Sequence, residues 1–555
     1  MFANTRSELQ SIIEESLKLF EGIVYPPVLI DLPADTQHGE FSCNIALQLS
    51  RLLKKSPLSI AQQILPGLQE LLKASPLNAQ IARVEIKAPG FINFYLSAEG
   101  FYQVLYDVFQ HKENYGRSQF GEGKKFCLEF VSANPTGPLT VAHGRQAAVG
   151  DTLVNILQAV GFDAKREYYV NDEGNQINIL GHSIKVRSQQ ILGQDVPFPE
   201  DGYQGDYIRD MAILHMKIIG NTIEDVNRQS DITFRQFGVI YLMNMIAQDL
   251  KDFGVHFDIW SYQSKIANPQ AIEELLAELR AKGFVYDSEG AWWFKSTLWG
   301  DDKDRVVRKS DGQYTYLTPD IVYHKDKFAR GFERIVNILG PDHHGYIPRI
   351  KAAAAALGHS KDDLDILIVQ LATIYRDGKE VSMSTRRGEF ISLREVMDEV
   401  GRDAARFFFL MRQASAHLEF DLELAKKQAA ENPVYYVQYA HARIYSIIRK
   451  AHDELHCSPQ FKDFKYLQQP EEMDLMRKIA LYPDILISCA KTLEPFGLVR
   501  YLQELAAAFH KFYDSCRVLD ENKEISAERL GLIDAARIVL GNGLKVLGVS
   551  APEKM

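Results

Sequence analysis

Two separated segments of this 555-residue chain combine residue types suited to handling phosphate. In the first, Phe126-Cys-Leu-Glu-Phe-Val131 reads as a strand, and the loop from Ser132 to Thr140 behind it carries two prolines and a glycine. The helix that follows sets Leu153, Ile156, Leu157 and Val160 on one face and stops at Gly161. A tight loop feeding a helix aims backbone N–H groups and the positive end of the helix dipole at whatever lies above the sheet, which suits anions. His143 and Arg145 stand at that terminus, so a phosphate there would meet dipoles, an imidazole and a guanidinium together. In the second segment, Lys379 to Glu389 forms a polar loop after the apolar run Ile366–Ala372, with Arg386 and Arg387 side by side. Arginines on such a loop can clamp pyrophosphate in a transition state where positioning and charge do most of the work. Each segment alone also has a plainer reading, a capped helix and a solvated basic loop.

The surrounding elements divide the chain into three parts. Residues 1–110 open with a helix, then a polar turn from Ala34 to Glu40. A second helix is expected over 41–65 from Ile45, Leu49, Leu52 and Leu53, and two strands are expected around Pro89-Gly90. Residues 115–400 begin with the almost uniformly apolar strand at 126, typical of a parallel sheet, and strand signals recur at Glu167–Val170 and Ile335–Leu339. The helix-rich stretch at about 200–290 reads as an insertion between the halves of that sheet. Residues 401–555 are almost entirely helical in pattern. The pattern is therefore multidomain α/β: a parallel-sheet domain with an inserted region, a small amino-terminal α+β domain and an all-α carboxy-terminal domain.

Composition narrows the function. With 46% hydrophobic residues, 25% charged residues and no long apolar run, the chain is expected to be a folded soluble protein. The amino terminus is amphipathic and lacks the pattern of a signal peptide, and five cysteines without CxxC spacing point to a reducing cytoplasm and no zinc site. A net charge of −10 argues against indiscriminate coating of nucleic acid. Yet residues 401–555 hold 21 Lys and Arg against 21 Asp and Glu, so the acidic excess lies in the first 400 residues. The carboxy-terminal part is thus the better candidate for a polyanion.

Taken together, and with the stretches Glu167–Gln176, Tyr314–Asp320, Gly340–Tyr346, Asp403–Arg406 and Asn432–Arg443, the chain resembles class I aminoacyl-tRNA synthetases of the bacterial arginyl type. The likeness includes Asp35–Phe41 and Pro89–Asn93 near the amino terminus and covers essentially the whole chain. It implies a catalytic domain of Rossmann type, a helical anticodon-binding domain and an amino-terminal domain touching the tRNA elbow through Phe91 and Asn93. It implies ATP contacts at Ala133, Asn134, Pro135, Pro138, Leu139, Thr140, Val141, Ala142, His143, Gly144, Asp342, His343, His344, Met383 and Ser384. It also implies an arginine pocket of Glu129, Ser132, Asn134, Tyr316 and Asp320, and an anticodon contact through Tyr435, Tyr439, His510 and Tyr513. The chemistry of the pocket agrees, because a guanidinium is best held by bidentate carboxylates with an aromatic face nearby. An unpaired Glu129 on an apolar strand would be costly without such a role.

Both class I signatures are altered. His-x-Gly-His appears as Thr140-Val-Ala-His143, and Lys-Met-Ser-Lys as Ser382-Met-Ser-Thr385. Threonine cannot supply the charge of a protonated imidazole, which leaves Arg386, Arg387 or Lys379 as substitutes, with Thr140, His143 and Ser384 completing the expected catalytic set. The leading expectation is a monomeric cytoplasmic arginine–tRNA ligase using arginine tRNA, L-arginine and ATP with magnesium. The alternative is a tRNA-binding paralogue with decayed catalytic signatures, against which the intact carboxylates and tyrosine of the pocket weigh.

Overall fold

The computed structural model describes the whole chain except residues 1, 21, 34 and 382–390. In the amino-terminal part, β1 (Ile30–Asp31), β2 (Phe41–Cys43), β3 (Ile81–Lys87) and β4 (Phe91–Leu96) form an antiparallel sheet in the order β1-β2-β4-β3. The single helix expected over 41–65 is instead β2 followed by two helices, Ile45–Leu53 and Pro57–Lys73. The break is local chemistry: Lys54 turns left-handed at φ 51°, and Ser56 caps the new helix while Pro57 opens it.

The central sheet is parallel throughout. It contains β5 (Lys125–Glu129), β6 (Asp163–Val170), β7 (Ile259–Tyr262), then, after the three antiparallel strands β8 (Val285–Ser288), β9 (Ala291–Phe294) and β10 (Arg305–Arg308), also β11 (Arg334–Leu339) and β12 (Leu364–Ile368). Its order, β12-β11-β5-β6-β7, runs outward from β5 in one direction and returns to β11 on the other side. Such a reversal leaves a crevice at the carboxyl ends of the two strands flanking it, here β5 and β11. The stretch at about 200–290 is thus no simple insert, because it supplies the edge strand β7, paired with β6 from Glu167–Ile259 onward.

A small sheet follows from β13 (Ala372–Arg376), β14 (Lys379–Glu380) and β15 (Leu418–Asp421), so the region after 401 contributes one strand before the helices Pro433–Leu455, Pro470–Thr492, Phe496–Ser515 and Lys523–Leu547. The amino-terminal part docks on these helices through Arg6–Asp484 at 2.7 Å and Glu40–Arg477 at 2.8 Å. The sheet domain is tied to them by Arg406, fully buried, which donates to the Asp151 carboxylate and to the carbonyls of Leu547 (3.0 Å) and Phe253 (3.2 Å). Asp151 also accepts from Arg166 at 2.8 Å. Asp151→Asn removes the counter-charge of a buried guanidinium and is expected to destabilise the protein by about 3–5 kcal/mol, read as a lowered thermal midpoint. A midpoint unchanged from the parent would refute that account.

Candidate active site

Strand β5 delivers its last residue, Glu129, to the crevice, and the chain then turns sharply. Val131 and Ser132 lie at φ 68° and 39°, a left-handed pair that is strained for a β-branched residue. The turn brings the Ser132 hydroxyl to donate to Glu129 Oε1 at 3.0 Å while accepting the Tyr169 N–H at 3.1 Å. Tyr168 donates to the Ala133 carbonyl at 2.9 Å and Asn134 to Gln176 at 2.7 Å, so the loop is bound to β6 and the helix beyond it.

The helix Val141–Ala159 starts from Thr140. His143 Nδ1 accepts the Thr140 N–H at 3.1 Å and lies 3.1 Å from the Thr140 hydroxyl, a capping box with histidine in the reciprocal place. Burial pushes His143 down to about 4. Because Nδ1 accepts, the neutral ring carries its proton on Nε2; histidine here is a donor and not a cation. The expected partner Arg145 is absent from the crevice: its fully buried guanidinium donates to the carbonyls of Gln370 (2.7 Å) and Gln413 (3.0 Å).

A cleft of ≈ 540 Å³ opens above these groups. Of the expected nucleotide contacts, Ala133, Asn134, Ala142, His143, Asp342 and His343 line it; of the arginine contacts, Glu129, Ser132, Asn134, Tyr316 and Asp320 do. Pro135, Pro138, Leu139, Thr140, Val141, Gly144 and His344 are not among its lining residues. Leu139 and Val141 are core, and a Cβ on Gly144 would lie 2.7 Å from Leu393, so these three pack the loop against its support. Met383, Ser384, Arg386 and Arg387 lie outside the described residues, while Lys379 is exposed as the first residue of β14.

The far end of the cleft is acidic and ordered. The helix Leu317–Ala329 sets Asp320, His324 and Lys327 on one face at i, i+4 and i+7. Tyr346 donates its hydroxyl to Asp320. Burial raises Asp320 to about 7; Tyr346 opposes the rise, Glu129 adds to it and Lys327 subtracts. Glu129 is not unpaired: the buried Lys327 ammonium donates to its Oε2. Lys327 also donates to Asn337 at 3.0 Å, Asn337 donates to His324 at 2.8 Å, and His324 donates to the Asp320 carbonyl at 2.8 Å. Burial holds His324 near 3, so it stays neutral and every member of that relay is satisfied. Sequence reading missed Lys327, His324 and Asn337; for the first two the signal available was a polar stripe at helical spacing with Asp320, and for Asn337, a polar residue within the apolar strand β11.

Away from the cleft, Tyr435 stacks on Tyr439 with ring centroids 5.9 Å apart, and Tyr439 on His510 at 6.1 Å, half-buried between Pro433–Leu455 and Phe496–Ser515. Tyr513 accepts from Arg443 at 3.0 Å. Phe91 is half-buried, but Asn93 is buried and accepts from Ser42 at 2.7 Å, joining β2 to β4. Its side chain therefore faces inward and offers nothing to an external partner.

A parallel sheet that reverses at β5, a cleft at that point and a helix whose first turn carries a histidine are the arrangement of a nucleotide-binding α/β enzyme, and the family match places the chain among class I aminoacyl-tRNA synthetases. Residues 104–444 match the family described as tRNA synthetases class I (R), catalytic domain, residues 7–96 the arginyl tRNA synthetase N terminal domain, and residues 437–555 the DALR anticodon binding domain. The chain belongs to the arginyl-tRNA synthetase family. It is 46% identical over 534 residues to the arginine–tRNA ligase of Citrifermentans bemidjiense, covering 96% of this chain and 95% of that one. It is 42% identical to that of Bacillus subtilis over 561 residues, covering both chains completely. The arginyl-tRNA synthetase of Thermus thermophilus shares the fold at a TM-score of 0.75 with 20% identity, over 99% of this chain and all of that one.

Proposed function

We propose that this cleft binds ATP at the β5 loop and helix terminus and the arginine side chain between Glu129, Tyr316 and Asp320, so dividing the two substrates along one groove. The chain is an arginine–tRNA ligase. An oxygen of the arginine carboxylate attacks the α-phosphorus of ATP, pyrophosphate leaves, and the 3′-terminal ribose hydroxyl of arginine tRNA then displaces AMP from the adenylate. The relatives named above are ligases along their full length and give no support to a decayed tRNA-binding paralogue.

The single observation that carries the pocket is Asp320, a half-buried carboxyl lining the cleft with a tyrosine hydroxyl on one oxygen. Ser132 and Asn134, held by the strained turn, are suited to the α-amino and carboxylate end. His143 offers Nε2–H to charge developing on the phosphates. Magnesium would arrive on ATP as part of that substrate and screen its phosphate charge. Arg386, Arg387 and Ser384 would complete the pyrophosphate side, and the Tyr435–Tyr439–His510 stack with Tyr513 would meet unpaired anticodon bases. Phe91 remains a candidate for the tRNA elbow. No helix among the described residues is long and apolar enough to cross a membrane. From the part that arginine–tRNA ligases take in translation we assign the chain to the cytoplasm, and we assign it as a monomer.

The pH dependence of kcat/KM for arginine tests the pocket. Asp320 has its acid form favoured by burial, with a titration near 7, and a guanidinium needs the ionised form. Efficiency should therefore fall as pH drops below about 7, approaching tenfold per pH unit, with ATP efficiency following no such limb. A profile for arginine that stays flat from neutral to acid pH would exclude Asp320 as the guanidinium partner.

A further inference from the structure

The buried ammonium of Lys327 pairs with Glu129 yet has no part in the substrate contacts given above, and its surroundings are specific. It has no exposed surface, lies about two helical turns beyond Asp320 on the same face, and touches Glu129, Asn337 and the face of Tyr323, 4.2 Å from that ring's centroid. Burial presses its titration down, but Glu129, Glu167 and Cys127 outweigh that, so it stays charged. Two carboxylates facing one cleft with no cation would repel each other and favour a shared proton. With Lys327 present the acidic end carries Glu129 and Asp320 against one ammonium, a net single negative charge that matches one guanidinium.

We propose that Lys327 is a positioning residue for arginine selection: it clamps Glu129 in place and cancels one of the two acidic charges, leaving Asp320 as the ionisable partner of the substrate. The proposal rests on the pocket reading given above. The groups facing Asp320 are Tyr346 from the turn at 341–346, with Arg349 behind it, Glu129 from β5, Tyr169 from β6, and His324 and Lys327 on its own helix. Of these only Glu129 and Lys327 carry opposite full charges near it, so removing them must push the titration of Asp320 in opposite directions. A scaffold residue whose loss merely loosened the fold would produce no such pair of shifts.

The experiment is the acid limb of kcat/KM for arginine, measured with ATP and tRNA saturating, in the parent, Lys327→Met and Glu129→Gln enzymes. Lys327→Met is expected to move the limb upward by about half a pH unit or more and so to lower efficiency at neutral pH about twofold or more; Glu129→Gln is expected to move it downward. Limbs that stay where the parent has them overturn the role of Lys327 while leaving the pocket intact. A parent enzyme with no limb overturns the pocket itself. If Lys327→Met yields no folded protein, Glu129→Gln decides alone: a downward shift supports the charge balance and an unmoved limb rejects it.

Discussion

Turnover of the His143→Ala enzyme is expected to fall by about 10²–10³-fold, the usual consequence of deleting one preorganised donor from a developing negative charge. The ring is neutral, since burial holds it near 4, and its Nδ1 is occupied by the Thr140 N–H. What it can offer the reaction is therefore the Nε2–H alone, and activity should not titrate with this residue between pH 5 and 8. The same ring caps the helix, so alanine also removes an acceptor from the first turn, a loss of about 1 kcal/mol. The two roles separate in His143→Gln, because glutamine at that position can still reach back to the cap N–H. That variant should melt with the parent yet remain impaired in kcat with ATP KM little changed. Full turnover in either variant would remove His143 from the reaction, and the altered signature Thr140-Val-Ala-His143 would then have to be explained through the loop at 382–390.

Asp320→Asn is expected to lower kcat/KM for arginine by about 30-fold or more, since truncating one partner of a buried, hydrogen-bonded charge pair costs about 2–5 kcal/mol. The nucleotide end is untouched, so KM for ATP should hold. The isosteric amide keeps Tyr346 within reach, which guards against a trivial folding defect. Citrulline supplies the control: its neutral ureido group leaves a buried carboxylate uncompensated, so the parent should reject it strongly, and the gap between arginine and citrulline should narrow in the variant. Equal losses in arginine and ATP use, or a parent that charges citrulline as readily as arginine, would refute the carboxylate–guanidinium account.

Much of the site was legible because it is continuous in sequence. The run from Phe126 to Arg145 is strand, loop and helix in order, and its chemistry of backbone donors and a first-turn histidine needs no distant partner to be recognised. Tyr316 and Asp320 share one turn and entered with the family resemblance. The helix boundary at Ser56-Pro57 is equally local, a serine cap followed by a proline in the first turn, although apolar periodicity alone runs straight through it.

What the sequence by itself determined, then, is most of the local elements, a strand-loop-helix suited to anions and the acidic residues of the cleft. Direction and partnership came only from the tertiary structure. Arg145, placed by its position in the first turn beside any bound phosphate, instead ties the helix after β5 to carbonyls more than two hundred residues away. Glu129 meets a lysine 198 positions distant, Asp151 an arginine 255 positions distant, and β7 joins a sheet from inside what looked like an insertion. The physical reason is common to all of these. Periodicity and propensity fix which way a side chain leans from its own element, but whether a charge is buried, and against which opposite charge, depends on how separate elements pack, which no local pattern encodes.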